Sequence, residues 1–282
     1  MDTLTLSRPT RNPRPVSPKL PMGIILKTPE QIEKIRRAGR LVHEALRRCE
    51  AACVAGATTA QVNAAAQGVL AENPGAEGMF LNYPSPAAGV TAFPAVTCIS
   101  VNEQVVHGIP GSRVIRAGDL VSVDCGIRYE GWCGDSATTI EVGAQTGEHR
   151  RLCEATRHVL RIAIENIRPG RRWSRIARQM QDYAERAGFS VIRDYVGHGV
   201  GATMHEEPKV PNFVSDELRR KDFELRPGMV LAVEPMCATG TYRVKTLDDG
   251  WTVVTADGGY AAHYEHTLVV TETGCDILTD GR

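Results

Sequence analysis

The strongest constraint in this chain is a repeat. Arg116-Ala117-Gly118-Asp119-Leu120-Val121-Ser122-Val123-Asp124 aligns with Arg226-Pro227-Gly228-Met229-Val230-Leu231-Ala232-Val233-Glu234, 110 residues later. Both read Arg-x-Gly, then a strand-like run that closes on Val and a carboxylate. Upstream, His107-Gly108-Ile109-Pro110 echoes His205-Glu206-Glu207-Pro208 at an offset of 98, and Gly56 matches Gly170 at 114. Three echoes in the same order point to a duplicated helix–helix–strand unit. Equivalent residues of a two-fold repeat can meet at its pseudo-axis. Asp124 is equivalent to Glu234, and His107 to His205, so the seam between the halves is the natural site.

Local signals fill in each half. Thr28-Pro29-Glu30-Gln31 combines a capping threonine, a first-turn proline and a glutamine at the third position, which opens a helix. Thr58 with Gln61 opens a second, and Asn73-Pro74-Gly75 ends it. From Val96 to Val142 the pattern is strand-like, with glycine punctuation. The plan then recurs, with helices over 147–167 and 174–187 and strands over 229–234, 242–245, 252–255 and 263–270. Two helices followed by several strands, twice, predict an α+β fold with helices on one face of antiparallel sheet. One domain over 28–282 follows, in halves of about 28–143 and 144–282. Residues 1–27 read as a flexible tail. Within it, residues 1–22 hold five prolines, four Arg or Lys and one acid, with polyproline II character near Pro13-Arg14-Pro15.

Composition excludes several classes. The 33 basic and 33 acidic side chains cancel, which speaks against a nucleic-acid binder. No apolar run reaches the roughly 18 residues of a membrane span. Eight cysteines include no C-x-x-C pair, and Met1 to Leu20 lacks the apolar core of a secretory signal. The cysteines therefore read as reduced thiols in a cytoplasmic protein.

The segment from Val123 to Asp135 reads as a β-hairpin. With its tip at Tyr129-Glu130, Asp124 faces Asp135, and directly opposed Cβ atoms lie about 4.5–5.5 Å apart. Two carboxylates that close repel, more so if buried, and no Lys or Arg of the hairpin alternates onto their face. Either the hairpin is exposed and both aspartates are solvated, or a cation sits between them. Three further residues favour the cation. His198 lies among glycines in Gly197-His198-Gly199-Val200-Gly201, Glu234 ends a run of apolar residues, and Glu265 precedes another. Asp124, Asp135, His198, Glu234 and Glu265 form an oxygen-rich set suited to Mn(II), Fe(II) or Co(II), with Zn(II) admissible. Five ligands exceed the need of one ion, so two divalent ions roughly 3.5–4 Å apart are expected.

From about Thr28 to Leu278 the chain resembles the type I methionine aminopeptidases, metallopeptidases of the creatinase-like "pita-bread" fold. The resemblance rests on Asp124 with Asp135, on Gly197-His198-Gly199-Val200-Gly201, His205-Glu206-Glu207-Pro208, Val233-Glu234-Pro235 and Tyr264-Glu265-His266-Thr267. Ser100-Val101-Asn102-Glu103 and His107-Gly108-Ile109-Pro110 belong to the methionine-removing branch. It implies that Asp124 chelates one metal, that His198 and Glu234 serve the other, and that Asp135 and Glu265 bridge. His107 and His205 would contact the substrate around its amino terminus and scissile amide, and Glu234 would shuttle a proton. Phe93, Cys98, Met204 and Trp251 match positions around the methionine pocket.

Two features depart from the family pattern. The segment 86–92 is one residue longer and lacks the usual tyrosine, and Met204 stands where phenylalanine is common. The implied partners are a peptide or nascent-protein N-terminus and, through the tail, the ribosome, with no DNA or membrane and a monomeric state. Rival readings are a proline-directed peptidase of the same fold, which would carry an extra N-terminal domain, and a non-catalytic binding protein, which would be expected to lose ligands.

Overall fold

A computed structural model describes residues 23–85, 87 and 89–282. Of the tail expected over residues 1–27, residues 1–22 lie outside these. The first half holds helices α1 (Pro29–Ala52) and α2 (Thr59–Glu72), then strands β1 (Glu77–Gly78), β2 (Cys98–Val101), β3 (Gln104–Val106), β4 (Leu120–Tyr129) and β5 (Trp132–Glu141). The second begins with α3 (Gly147–Asn166) and α4 (Trp173–Arg186), followed by β6 (Ser190–Val191), β7 (Gly197–Gly199), β8 (Glu206–Val210) and α5 (Asp216–Lys221). It closes with β9 (Val230–Val233), β10 (Met236–Ala238), β11 (Val244–Thr246), β12 (Val253–Thr255), β13 (Ala261–His263), β14 (His266–Val270) and β15 (Cys275–Ile277). Both expected capping boxes form, at Thr28 with Gln31 and at Thr58 with Gln61.

The repeat reaches individual hydrogen bonds. Gly56 N–H donates to the Ile115 carbonyl, and Gly170 N–H to that of Leu225, each at 2.9 Å. Gly118 donates to Val142 and Gly228 to Val270, at 2.7 and 2.9 Å. Isolated bridges pair Thr58 with Val114 and Arg172 with Glu224. In each half, two helices lie over sheet. Val42, Leu46, Val62 and Val69 pack on Val121, Val123 and Ile127 in the first. Leu152, Val159, Ile176 and Met180 pack on Leu231, Val233 and Leu268 in the second.

Three expectations need correction. The hairpin tip is Glu130-Gly131, not Tyr129-Glu130, and Tyr129 pairs with Trp132. Both tip residues have positive φ, 49° and 82°, as a two-residue turn matched to strand twist requires, and glycine takes the second position freely. Asp124 therefore opposes Ala137, and Asp135 opposes Gly126. The aspartates are diagonal neighbours on one face rather than a direct pair.

The second correction concerns the strand expected over 263–270. It is two strands, with β13 on β10 and β14 on β9. Both ladders keep one register, with Val233 opposite His266 and Met236 opposite His263. Glu234 and Glu265 thus face each other in the gap where the chain passes from one sheet to the next.

Third, Lys27, expected in the tail, is tied into the domain. Lys27 N–H donates to the Gly228 carbonyl at 2.7 Å, and Lys27 Nζ reaches Glu206 Oε2 at 2.6 Å. The side chains are only 3% and 11% exposed, so this pair is buried. Removing one partner of a buried pair strands the other charge. Lys27→Met should lower unfolding stability by about 3–5 kcal/mol, read from urea denaturation. A loss under about 1 kcal/mol, the range of exposed pairs, would contradict a buried role.

Candidate metal centre

Each candidate ligand is presented by a regular element or by a break in one. Asp124 and Asp135 project from β4 and β5. Thr267 ties β5 to β14: its hydroxyl donates to the Asp135 carbonyl at 2.8 Å and accepts from the Asp135 N–H at 3.0 Å. Ser136 Oγ donates to the Glu265 carbonyl at 2.5 Å, and Glu265 N–H to that of Ala137 at 2.9 Å. These bonds cross the seam between the halves. His198 sits in β7 opposite Ala232 of β9. Its Nδ1 lies 2.9 Å from the Gly199 carbonyl, which can only accept, so Nδ1 carries the proton and Nε2 keeps its lone pair.

The donor atoms converge. His198 Nε2 is 3.7 Å from Asp135 Oδ2 and 3.6 Å from Glu234 Oε1, too far for hydrogen bonds. Donor atoms of Asp135, His198 and Glu265 lie within 4.8 Å of one another. Asp124 Oδ1, Asp135 Oδ1 and Glu265 Oε1 are buried without a hydrogen-bond partner. No Lys or Arg among the described residues pairs with any of the four carboxylates. Buried, unpartnered oxygens of like charge are costly, and a cation between them removes the cost. The donor set fits divalent metal.

Electrostatics tell the same story. Burial pushes the Asp135 carboxyl up to about 7. Burial, then the Asp135 charge, pushes Glu234 up to about 8. Asp124 and Glu265 are raised well above the usual range, by burial first and by neighbouring carboxylates next. Burial, then His205, pulls His198 down to about 4, which keeps its imidazole neutral.

The carboxylates form the floor of a cavity of about 570 Å³ that also reaches His107, His205, Phe93, Cys98, Met204 and Trp251. All the residues expected at the site are thus brought to one cavity. Phe93 meets Trp251 edge to face at 5.3 Å, and His107 packs edge-on against Tyr195 at 5.2 Å. Met204 is buried, and its Cε would lie 2.7 Å from a Cβ placed on Gly126, so it belongs to both core and wall.

Comparison with known sequences decides the family. The profile of metallopeptidase family M24 matches residues 33–272. The chain belongs to family M24. It is similar to methionine aminopeptidase 1 of Bacillus subtilis, with 43% identity over 91% of this chain and 99% of that one. A methionine aminopeptidase of Aquifex aeolicus is also 43% identical, over 92% and 100%. Among solved structures, the methionine aminopeptidase of Thermotoga maritima superposes with a TM-score of 0.84 at 42% identity, covering 91% and 99%. Prolidase from Pyrococcus furiosus shares the fold at a TM-score of 0.72 and 23% identity, and this chain spans 66% of its length. The α+β architecture is thus the pita-bread fold.

Sequence reasoning missed several lining residues of this M24 site, notably Tyr83, Phe80, Tyr195 and Leu247. Tyr195 stood beside a motif; the others carry no sequence pattern, and only the fold brings them in.

The raised carboxyls give metal-free protein a signed pH dependence. An unfolded carboxyl releases its proton near pH 4, whereas folded Asp135 and Glu234 hold theirs to about 7 and about 8. The folded state binds more protons in that window, so stability falls as pH rises. The buried histidines act oppositely, but only between about 4 and the ordinary value near 6.5. Chelator-treated protein should therefore lose about 1 kcal/mol or more of stability between pH 6.5 and 8. Divalent metal should abolish the slope. A flat profile in the chelated protein would show that the carboxylates are not held together.

Proposed function

We propose that this M24 enzyme hydrolyses the first peptide bond of peptides and new proteins that begin with methionine, most readily when the second residue is small. The observation that carries the reading is the cluster of four carboxylates, Asp135 and Glu265 buried and Asp124 and Glu234 nearly so, with one neutral imidazole, uncompensated by any Lys or Arg among the described residues, on the floor of a largely apolar cavity. The naming of its relatives as methionine aminopeptidases supports the substrate.

In this reading two divalent ions would be held, one by Asp124, the other by His198 and Glu234, with Asp135 and Glu265 available to both. Four negative charges against about +4 account for the balance; Mn(II), Fe(II), Co(II) and Zn(II) all suit the donors. When bound, such ions polarise a carbonyl and lower the pKa of water. The chain's own residues do the rest. Phe93, Cys98, Met204 and Trp251 wall the methionine side chain, where a polarizable surface suits a thioether. His107 and His205 flank the substrate's amino terminus and amide, where an oxyanion needs donors. Glu234 takes the proton of the attacking water at its carboxylate and returns it to the leaving amine.

Residues 28–282 act as one catalytic domain of two halves. We place it in the cytosol, since all eight cysteines are unpaired and seven are buried. No helix among the described residues is long and apolar enough to cross a membrane.

The test is release of methionine from Met-Ala-Ser with Co(II) or Mn(II). No cleavage with any divalent metal would sink the reading, and preferential cleavage of Xaa-Pro peptides would move it to the proline-directed branch. His205→Ala should cut turnover strongly while metal content is retained; loss of metal would make His205 a ligand.

A further inference from the structure

Tyr83 stands in the cavity beside His205. Its hydroxyl lies 3.1 Å from His205 Nδ1, and the two rings meet edge to face with centroids 5.6 Å apart. No other group among the described residues hydrogen-bonds this imidazole. The loop is shaped to hold Tyr83 there. Asn82 takes a left-handed φ of 63°, a conformation that asparagine tolerates better than most residues. Tyr83 N–H donates to the Phe80 carbonyl and its own carbonyl accepts from Phe93 N–H, both at 2.9 Å. Asn82 N–H donates to the Phe93 carbonyl at 2.8 Å. Both backbone groups of Tyr83 are thus pinned while its side chain extends to His205.

A neutral imidazole has one N–H and one accepting nitrogen. A phenol is a stronger acid than an imidazole N–H, and an imidazole nitrogen is a stronger base than a phenol oxygen. The Tyr83 hydroxyl therefore donates to Nδ1, and the ring proton resides on Nε2. Among the described residues that nitrogen has no hydrogen-bond partner, and His205 lines the cavity. We propose that Tyr83 is a positioning residue that holds His205 in the Nε2–H tautomer, presenting a hydrogen-bond donor to the scissile carbonyl. The inference rests on the reading of His205 as a substrate contact. It deepens that reading, because a freely tautomerising imidazole would present a donor only part of the time. The tyrosine found lacking in segment 86–92 is therefore no loss of a tyrosine from the cavity: Tyr83 supplies one from upstream.

The experiment uses Zn(II)-loaded enzyme with 15N-labelled histidine. In the parent, His205 should show a protonated Nε2 and a bare Nδ1. In Tyr83→Phe, which keeps the ring, the signals should move toward a tautomer mixture. On Met-Ala-Ser, Tyr83→Phe should lower kcat about 10–100-fold, as loss of an orienting partner does, with KM within about twofold. In a His205→Ala background the same change should have no further effect. An unchanged His205 pattern in Tyr83→Phe, an unchanged kcat, or an equal loss in both backgrounds would overturn the proposal. Full turnover in His205→Ala alone would instead overturn the reading of His205.

Discussion

Asp135→Asn should give a protein that is more stable without metal and nearly inactive with it. Asp135 is the hub of the carboxylate cluster. Its charge is among the causes that raise Asp124, Glu234 and Glu265, and it lies 3.7 Å from His198 Nε2. Asparagine has nearly the same shape and carries no charge. In chelated protein at pH 8, above the value of about 7 at which folded Asp135 loses its proton, the change removes one buried charge and its repulsion with the neighbouring carboxylates that are ionised. One pKa unit corresponds to about 1.36 kcal/mol, so a gain on the order of 2 kcal/mol is expected. On the proposed two-ion reading the same substitution deletes a shared metal donor, and turnover should fall by more than the 10–100-fold of an outer partner. The two effects have opposite signs, the mark of a site held in an unfavourable arrangement for the sake of its ligand. Urea denaturation with and without metal, beside kcat, checks both. Destabilised chelated protein would contradict the repulsion, and retained turnover would contradict the role of Asp135.

Gly197→Ala should cost about 3 kcal/mol or more and lower metal content as well. A Cβ there would stand 2.2 Å from the Ala232 carbonyl oxygen and 3.1 Å from that of Val210. Both atoms are backbone of the strands flanking β7, β9 on one side and β8 on the other, so no side chain can swing aside. One ladder must open, and His198 is the next residue, so the displaced strand takes the imidazole with it. Gly111→Ala is the control, since a Cβ there meets nothing within 4 Å. Equal melting temperatures for the two variants would show that β7 tolerates the shift.

Much of this was legible in one dimension. Capping boxes are contiguous, so the starts of α1 and α2 could be placed to the residue. The offset between Arg116-x-Gly and Arg226-x-Gly is visible without a fold, and it returns as matched hydrogen bonds at Gly118 and Gly228. The five candidate ligands were found because each stands in a distinctive local setting. The hairpin register was misplaced by one residue at the tip because alternation looks the same about either centre. Only the positive φ at Glu130 and Gly131 distinguishes them. Tyr83 was missed because an isolated tyrosine in a loop has no periodicity to betray it.

The sequence by itself determined the duplication, the α+β plan and the oxygen-rich donor set at the seam. These depend on residue type and spacing, which the chain carries along its length. The tertiary structure alone decided how the ligands meet. Asp124 and Asp135 are diagonal because of a two-residue turn, and Glu234 opposes Glu265 because paired strands change sheets at the same point. His205 is oriented by a tyrosine 122 positions away. Each of these follows from backbone conformation and long-range pairing, which become definite only when buried backbone groups must all find partners at once.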